Sequence, residues 1–372
     1  MDEQVARPRD PELIELLQEF VCVRMIQIND LDLSLLQFDF ELTWAAFFLN
    51  GDRTLYGRYG TRSERDRKRN VFFDRMPEHK LRDGLPKDMS IAGFKASLRS
   101  TLALHEDYRR APEQTAPQLR DKRGRAWPWP TPEDMPGIKR GCTHCHQVNS
   151  NLVLHHRKTP GVLPDELLWS FPMPDLLGFR IDPESATDVL AVASGSEADR
   201  AGLRPLDVIT EIAGQRVLSP ADVQWALHGA PDGDAVTVQA MRAGAQIRTT
   251  LQLPEGWRRR GSFSWRWRSN RETLKRMLDG EAWHCQDLTD PERAERGLGD
   301  GDVGIKVLGN LRKKDKILRA GDVITAVDDG VRIENCSAFF AYIMQDKLPG
   351  STLRLTVLRG RETFDVTLPV VE

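Results

Sequence analysis

Hydrophobic positions along this chain follow two rhythms. After Asp10-Pro11, Leu13, Leu17 and Phe20 share one helical face. Asp can cap the free amides there, and Pro at the first helical position loses no hydrogen bond. Val21 to Ile28 is mostly β-branched and apolar and predicts a buried strand. Leu42 to Leu49 predicts a second strand, Asn50-Gly51 a hairpin turn, and Thr54 to Tyr59 the returning strand. Ile91, Phe94, Leu98 and Leu102 recur at helical spacing. The N-terminal order is therefore helix, strand, hairpin, helix.

Pro112 to Pro136 holds six prolines and few aliphatic residues, which predicts an irregular connector. Its Trp127-Pro128-Trp129-Pro130 is expected to pack on a neighbouring domain or to shield a cofactor. Beyond it the chain repeats. Leu203-Arg204-Pro205-Leu206-Asp207-Val208-Ile209-Thr210 returns as Leu318-Arg319-Ala320-Gly321-Asp322-Val323-Ile324-Thr325. Each copy leads to an alternating hairpin, Val236 to Leu253 turning at Ala243-Gly244 and Leu353 to Leu368 turning at Gly360. Ser219-Pro220-Ala221-Asp222 is a capping box that starts a helix. Phe263, Trp265 and Trp267 alternate with Ser264, Arg266 and Arg268, predicting a half-buried strand that enters the second copy.

Composition narrows the function classes. With 40% hydrophobic residues, 29% charged residues and a net charge of −2 over 372 residues, nothing calls for nucleic-acid binding. No apolar run approaches the ~20 residues of a membrane span. Met1-Asp2-Glu3-Gln4 lacks the apolar core of a signal peptide, so at face value the chain is cytoplasmic. Cys22, Cys285 and Cys336 stand singly and suggest no disulfide framework. Arg62 to Arg69 reads as a solvated loop.

Cys142-Thr143-His144-Cys145-His146 carries the sharpest chemistry. Two thiols at this spacing can each add to a haem vinyl group, with His146 placed to ligate the iron. Zinc held by Cys142, Cys145 and two histidines, with His155 or His156 completing the set, is an alternative. A dithiol or plain structural pair is the third reading. Met173, His155 and His156 are candidates for a sixth haem ligand, with Met173 favoured as a hydrophobic plug instead. Covalent haem requires maturation outside the cytoplasm, at odds with the N-terminus.

Three stretches resemble known families. Met1-Asp2-Glu3-Gln4-Val5 with Asp10-Pro11-Glu12-Leu13-Ile14 looks like the chain just after the redox Cys-x-x-Cys of thioredoxin-like proteins. Phe47-Phe48-Leu49-Asn50-Gly51-Asp52 is similar to their hairpin, although Leu42-Thr43 lacks the usual proline. Leu176-Leu177-Gly178-Phe179 resembles the carboxylate-binding loop of PDZ domains, and Ser196 to Leu203 their "P-A-x-x-A-G-L" helix, with Glu197 in place of the proline. Val223 and Leu227 would then floor the peptide groove. In the second copy the loop candidate is Gly301-Asp302-Val303-Gly304, whose carboxylate would repel a peptide terminus. No Gly-x-Ser-x-Gly or Gly-Asn-Ser-Gly-Gly stretch supports a serine protease.

Together these resemble a bacterial family of thioredoxin-like proteins with C-terminal PDZ domains, some of them selenoproteins. The resemblance implies an active site upstream of Met1, missed if a UGA codon is read as stop, and a thiol or selenol oxidoreductase as the longer gene product. The expected fold is multidomain α+β. It comprises a partial thioredoxin-like domain (1–110), a Pro-rich connector with the CxxCH motif (111–165), and two PDZ-like β-barrel domains (166–256 and 262–372). The expected function is an envelope redox-associated peptide-binding protein, with an electron-transfer c-type cytochrome-like protein as the alternative. Peptide contacts fall to Leu176, Leu177, Gly178, Phe179, Val223 and Leu227, and the haem site to Cys142, Cys145 and His146. Peptide or protein ligands and a redox partner are expected. The location is the periplasm if translation starts upstream.

Overall fold

The computed structural model describes residues 5–42, 44–61, 88–136, 138, 143–158, 163–261, 267–281, 283–299, 302–310 and 317–371. The chain forms two compact units, one of Met1–Thr143 with Trp169–Gly261, the other of His144–Leu168 with Ser262–Glu372. These units cut across the domain limits read from the sequence. The Pro-rich stretch and the first PDZ-like region share the first unit, while the helix after the CxxCH motif belongs to the second.

In the first unit, helix α1 (Pro11–Gln18) is capped by Asp10, whose carboxylate accepts from the amides of Glu12 and Leu13 at 3.0 and 3.2 Å. Val21 to Ile28 forms no strand. Val21 is 95% exposed, and Val23 and Ile26 are each 81% exposed. Apolar, β-branched residues do not make a strand when no neighbouring edge takes up their backbone groups. Strands β1 (Ala46–Leu49) and β2 (Leu55–Tyr59) form the expected antiparallel hairpin. Helix α2 (Ile91–Arg110) starts at the N-cap Ser90 and buries Phe94, Leu98, Thr101 and Leu104. The Pro-rich stretch is indeed irregular, broken into short turns of helix. Arg62 to Arg69 lies outside the described residues.

Helix α3 (Cys145–Arg157) belongs to the second unit. The first unit resumes with β3 (Phe179–Ile181), β4 (Val189–Val192), the short helix α4 (Glu197–Arg200) and β5 (Val208–Ile212). After β6 (Gln215–Arg216) come helix α5 (Pro220–Gly229) and the hairpin β7 (Ala235–Arg242) to β8 (Ala245–Gln252). The strands pair as β3-β4 and as β6-β5-β7-β8.

The second unit continues with α6 (Trp267–Met277), β9 (Trp283–Asp287), α7 (Asp290–Glu295), β10 (Ile305–Asn310) and β11 (Val323–Val327). It ends with α8 (Cys336–Asp346), β12 (Thr352–Arg359) and β13 (Glu362–Pro369). Its sheet runs β13-β12-β11-β10-β9. The strand expected over Phe263 to Arg268 is not one where it is described: Trp257–Arg260 is a turn of 3-10 helix and Trp267 opens α6, while 262–266 lie outside the described residues.

The repeat is visible in side-chain detail. Asp207 accepts from the Arg204 amide at 2.8 Å and is gripped by Arg242 through two contacts of 2.7 Å. Asp322 accepts from the Arg319 amide at 2.8 Å and is gripped by Arg359 through two contacts of 2.8 Å. Register shifts fall between Ile209 and Glu211 in one copy and between Ile324 and Ala326 in the other. Both aspartates are buried, where a charge persists only if it is paired.

Candidate peptide-binding site

The candidate site lies in the first unit, where a loop, an edge strand and a helix meet. Pro174–Leu177 forms one turn of 3-10 helix that ends at Gly178 with φ +86°. Glycine is required there twice over: L side chains rarely adopt this backbone angle, and a Cβ would collide with the Ser196 side chain. Ser196 itself caps α4 by accepting from the Asp199 amide. The next residues form β3, whose strand partner among the described residues is β4 alone.

Helix α5 faces this strand through the core. Leu177, Phe179, Val223 and Leu227 are buried in one apolar cluster with Ala226 and Trp257, and Leu176 packs on its margin. Five of the six peptide-contact residues read from the sequence thus lie in or against one cluster, and Gly178 stands between two of them in the chain. The Ser219 cap behaves as expected, accepting from the amides of Ala221 and Asp222. Asp222 does not reach back to Ser219; it accepts from the Leu218 amide at 3.0 Å instead.

The loop amides are not all turned outward. Leu176 N–H donates to the Met173 carbonyl at 3.2 Å and Gly178 N–H to the Asp175 carbonyl at 3.0 Å. Asp175 was not singled out by sequence reasoning, yet it is the loop's one carboxylate. Its Oδ1 has no hydrogen-bond partner among the described residues. Burial pushes its carboxyl above the usual range, against the pull of Arg180. Arg180 in turn lies 3.6 Å from Asp88.

The rest of the surface of α5 is covered by the chain itself. Gln224 Nε2 donates to the Phe171 carbonyl at 2.8 Å, and the Phe171 ring stacks on His228 at 4.5 Å. Arg258 donates to the Leu227 and His228 carbonyls at 3.0 and 3.2 Å, and also to that of Ala230, closing the C-terminal end of α5. Arg260 reaches the Leu176 carbonyl at 3.4 Å and the Glu197 carboxylate at 3.0 Å. As a result α5 is buried at every position from Pro220 to Leu227. The run Trp257-Arg258-Arg259-Arg260 that supplies this cover was not singled out in the sequence.

On its far face α5 rests on β2. Gly57 permits the approach, since a Cβ would meet Asp222 Oδ2 and Leu218 Cδ1, each at 2.9 Å. Arg58 lies over the Trp225 ring at 4.1 Å, and Lys122 Nζ is 2.9 Å from Asp222 Oδ1.

Comparison with known proteins agrees with this geometry. The family model described as PDZ domain matches residues 176–253.

Residues 176–253 form a PDZ domain. No curated protein matches the chain. Among solved structures, an aminopeptidase N family protein from Idiomarina loihiensis is similar at 28% identity, with a TM-score of 0.19. The match covers 21% of this chain and 13% of that one. Outside the PDZ domain, Gly301–Gly304 was expected as the second copy's loop. Asp302 to Gly304 instead fall between β9 and β10, after the strand that corresponds to β3 in chain order; Gly301 lies outside the described residues.

Of the haem or zinc candidates, Cys142 lies outside the described residues, while Cys145 and His146 open α3. The His144 and His146 rings stack at 5.6 Å. His155 and His156 occupy the last turn of α3, roughly 15–17 Å along the axis from Cys145 at 1.5 Å per residue. One helix therefore cannot present both ends to a single ion. Among the described residues no group of three His, Cys, Asp or Glu is arranged to hold a metal. Met173 is half-buried beside the PDZ loop, where its carbonyl accepts from Leu176.

Proposed function

We propose that the PDZ domain captures an extended peptide by adding it as a strand to the open edge of β3, against α5. PDZ domains bind proteins and peptides in this way, with main-chain bonds giving affinity and side-chain pockets giving selectivity. The observation that carries the reading is that Leu177, Phe179, Val223 and Leu227 share one apolar cluster beside an edge strand with a single strand partner among the described residues. The loop carboxylate of Asp175 favours peptides bound through internal residues or through a C-terminus at low pH. Phe171 covers α5, so binding includes its displacement.

Display of a random peptide library with free C-termini tests this. Enrichment of one motif by the wild type, and stronger enrichment by Phe171→Ala, is the expected result. No enrichment by either protein sinks the reading.

We read the C-terminal copy as a second PDZ-like domain. In support are the same Asp–Arg clamp, the same bulge position and the same order of strand, helix and hairpin. The order α1, β1–β2 hairpin, α2 supports a thioredoxin-like remnant that lacks the strand expected over Val21 to Ile28. On that reading the PDZ domain brings peptides to a redox module of the cell envelope, checked by cell fractionation of the native gene product. Cys145 and His146 at a helix start suit covalent haem, which would supply one-electron transfer there. A Soret band and a haem-sized mass increase, after co-expression with haem-attachment machinery, decide that point; unmodified mass removes it.

A further inference from the structure

Cys285 and Cys336 stand 51 residues apart in the chain, yet their sulfurs are 2.7 Å apart, and both residues are buried. Cys285 lies in the middle of β9, the edge strand of its sheet. Cys336 is the first residue of α8. A second contact already joins the same two elements, since the Cys336 amide donates to Asp287 Oδ1 at 2.6 Å. In chain order β9 and α8 correspond to β3 and α5, the two walls of the peptide cleft in the first copy.

We propose that Cys285 and Cys336 form a disulfide that pins β9 to the first turn of α8 and so closes the strand–helix cleft of the C-terminal copy. The bond rests on the sulfur geometry alone; its meaning as a closed cleft rests on the second PDZ-like reading. A disulfide needs its sulfurs about 2.05 Å apart, a small side-chain shift from the present separation. The oxidant is a small-molecule disulfide such as glutathione disulfide. One cysteine, as thiolate, attacks a glutathione sulfur and releases one glutathione thiolate. The other cysteine, also deprotonated, attacks the mixed disulfide and releases the second. The two cysteines lose two protons and two electrons, and the glutathione disulfide takes them up as two thiols.

Burial dictates when this happens. Burial, then the hydrogen bond with Cys336, pushes the Cys285 thiol well above its ordinary range, so Cys285 is a poor nucleophile in the folded protein, and burial keeps oxidants from both sulfurs. The bond therefore forms while the chain is folding and is shielded afterwards, as a structural clamp rather than a fast switch. This also argues for residence in an oxidising compartment.

The test is refolding of the full chain in a buffer of reduced and oxidised glutathione, then alkylation under denaturing conditions and non-reducing peptide mapping. The proposal expects a cross-linked peptide containing Cys285 and Cys336, and a melting temperature that drops by about 10 °C on reduction. Cys285→Ser/Cys336→Ser should melt at one temperature with or without reductant. Should that variant not fold, the wild-type map alone decides. Recovery of both cysteines as alkylated, uncross-linked peptides overturns the disulfide. A cross-link without any loss of peptide capture by the C-terminal copy relative to the reduced protein, assayed with the display library, keeps the bond but overturns the closed cleft.

Discussion

Lys122 Nζ lies 2.9 Å from Asp222 Oδ1, and the two side chains are 0% and 2% exposed. Arg58 shares the same carboxylate, with Nη1 at 3.9 Å and its amide donating at 3.3 Å. Two buried cations thus depend on one anion in the first turn of α5. Burial lowers Lys122 to about 8 and Arg58 to about 10, with Asp222 opposing both shifts.

Removing the anion should cost far more than removing the lysine. Asp222→Ala leaves two buried charges unmet and uncaps the Leu218 amide, so a loss of about 3–5 kcal/mol is expected. Lys122→Met leaves Asp222 paired with Arg58 and should be neutral or stabilising by up to about 3 kcal/mol, the scale of a shift from 10.5 to about 8. Urea titration of both variants distinguishes the two outcomes.

The same lysine sets a pH dependence. Its folded pKa is lowered, so between about 8 and 10.5 the unfolded chain holds the proton that the folded chain has lost. Stability contributed by this site therefore rises with pH across that window. The gap between Lys122→Met and wild type should narrow from pH 8 to pH 10, as measured by urea midpoints. A gap independent of pH would refute the assignment.

Asp175 should make peptide capture sensitive to acid. Burial raises its carboxyl, so on acidification it becomes neutral earlier than an ordinary aspartate. Peptides with a free C-terminus should bind more tightly as pH falls through that range. Asp175→Asn should bind them tightly throughout, and an amidated peptide should show the pH effect far less. Fluorescence anisotropy at a series of pH values reads all three.

Gly178→Ala should abolish capture and lower the melting temperature. The new methyl meets Ser196 in a backbone conformation that alanine avoids. Ser196→Gly combined with Gly178→Ala should recover part of the stability, because it removes the colliding atom but not the backbone strain.

Arg242→Met and Arg359→Met should each destabilise their own unit and leave the other unit's transition unchanged. Asp207 is pushed up by burial and pulled down further by Arg242, for a net lowering. Its contribution is thus present above the ordinary carboxylate pKa and lost as pH falls through the lowered value. Calorimetry at neutral and acid pH should show the Arg242→Met deficit shrinking at acid pH.

The parts legible in the sequence are those with local rules. Asp10 and Ser219 announce their helices because a cap needs only the next two or three amides. The repeat at Leu203 and Leu318 returns as the same Asp–Arg contact in both units, and Leu176 is where the PDZ match begins. Legibility failed where the decision was remote. Val21 to Ile28 has strand composition but is exposed, since pairing depends on an edge elsewhere. Cys285 and Cys336 look solitary because their meeting is a tertiary event across 51 residues. Asp175 hid inside a recognised motif, and nothing local marks Arg258 as the donor to the last carbonyls of α5.

Arg258 shows where the folded object ends. The family match stops at residue 253, yet the last carbonyls of α5 accept from a guanidinium five residues further on. Trp169 likewise donates to the Gly261 carbonyl at 2.9 Å, tying a residue before the match to one after it. A fragment cut at 176 and 253 would begin without Phe171 and end without Trp257. It would turn Trp225 and the charged end of Asp222 out to water, leaving a sticky, frayed module. For biochemists the smallest piece that deserves a binding assay runs from 169 to 261, together with the N-terminal region on which α5 rests.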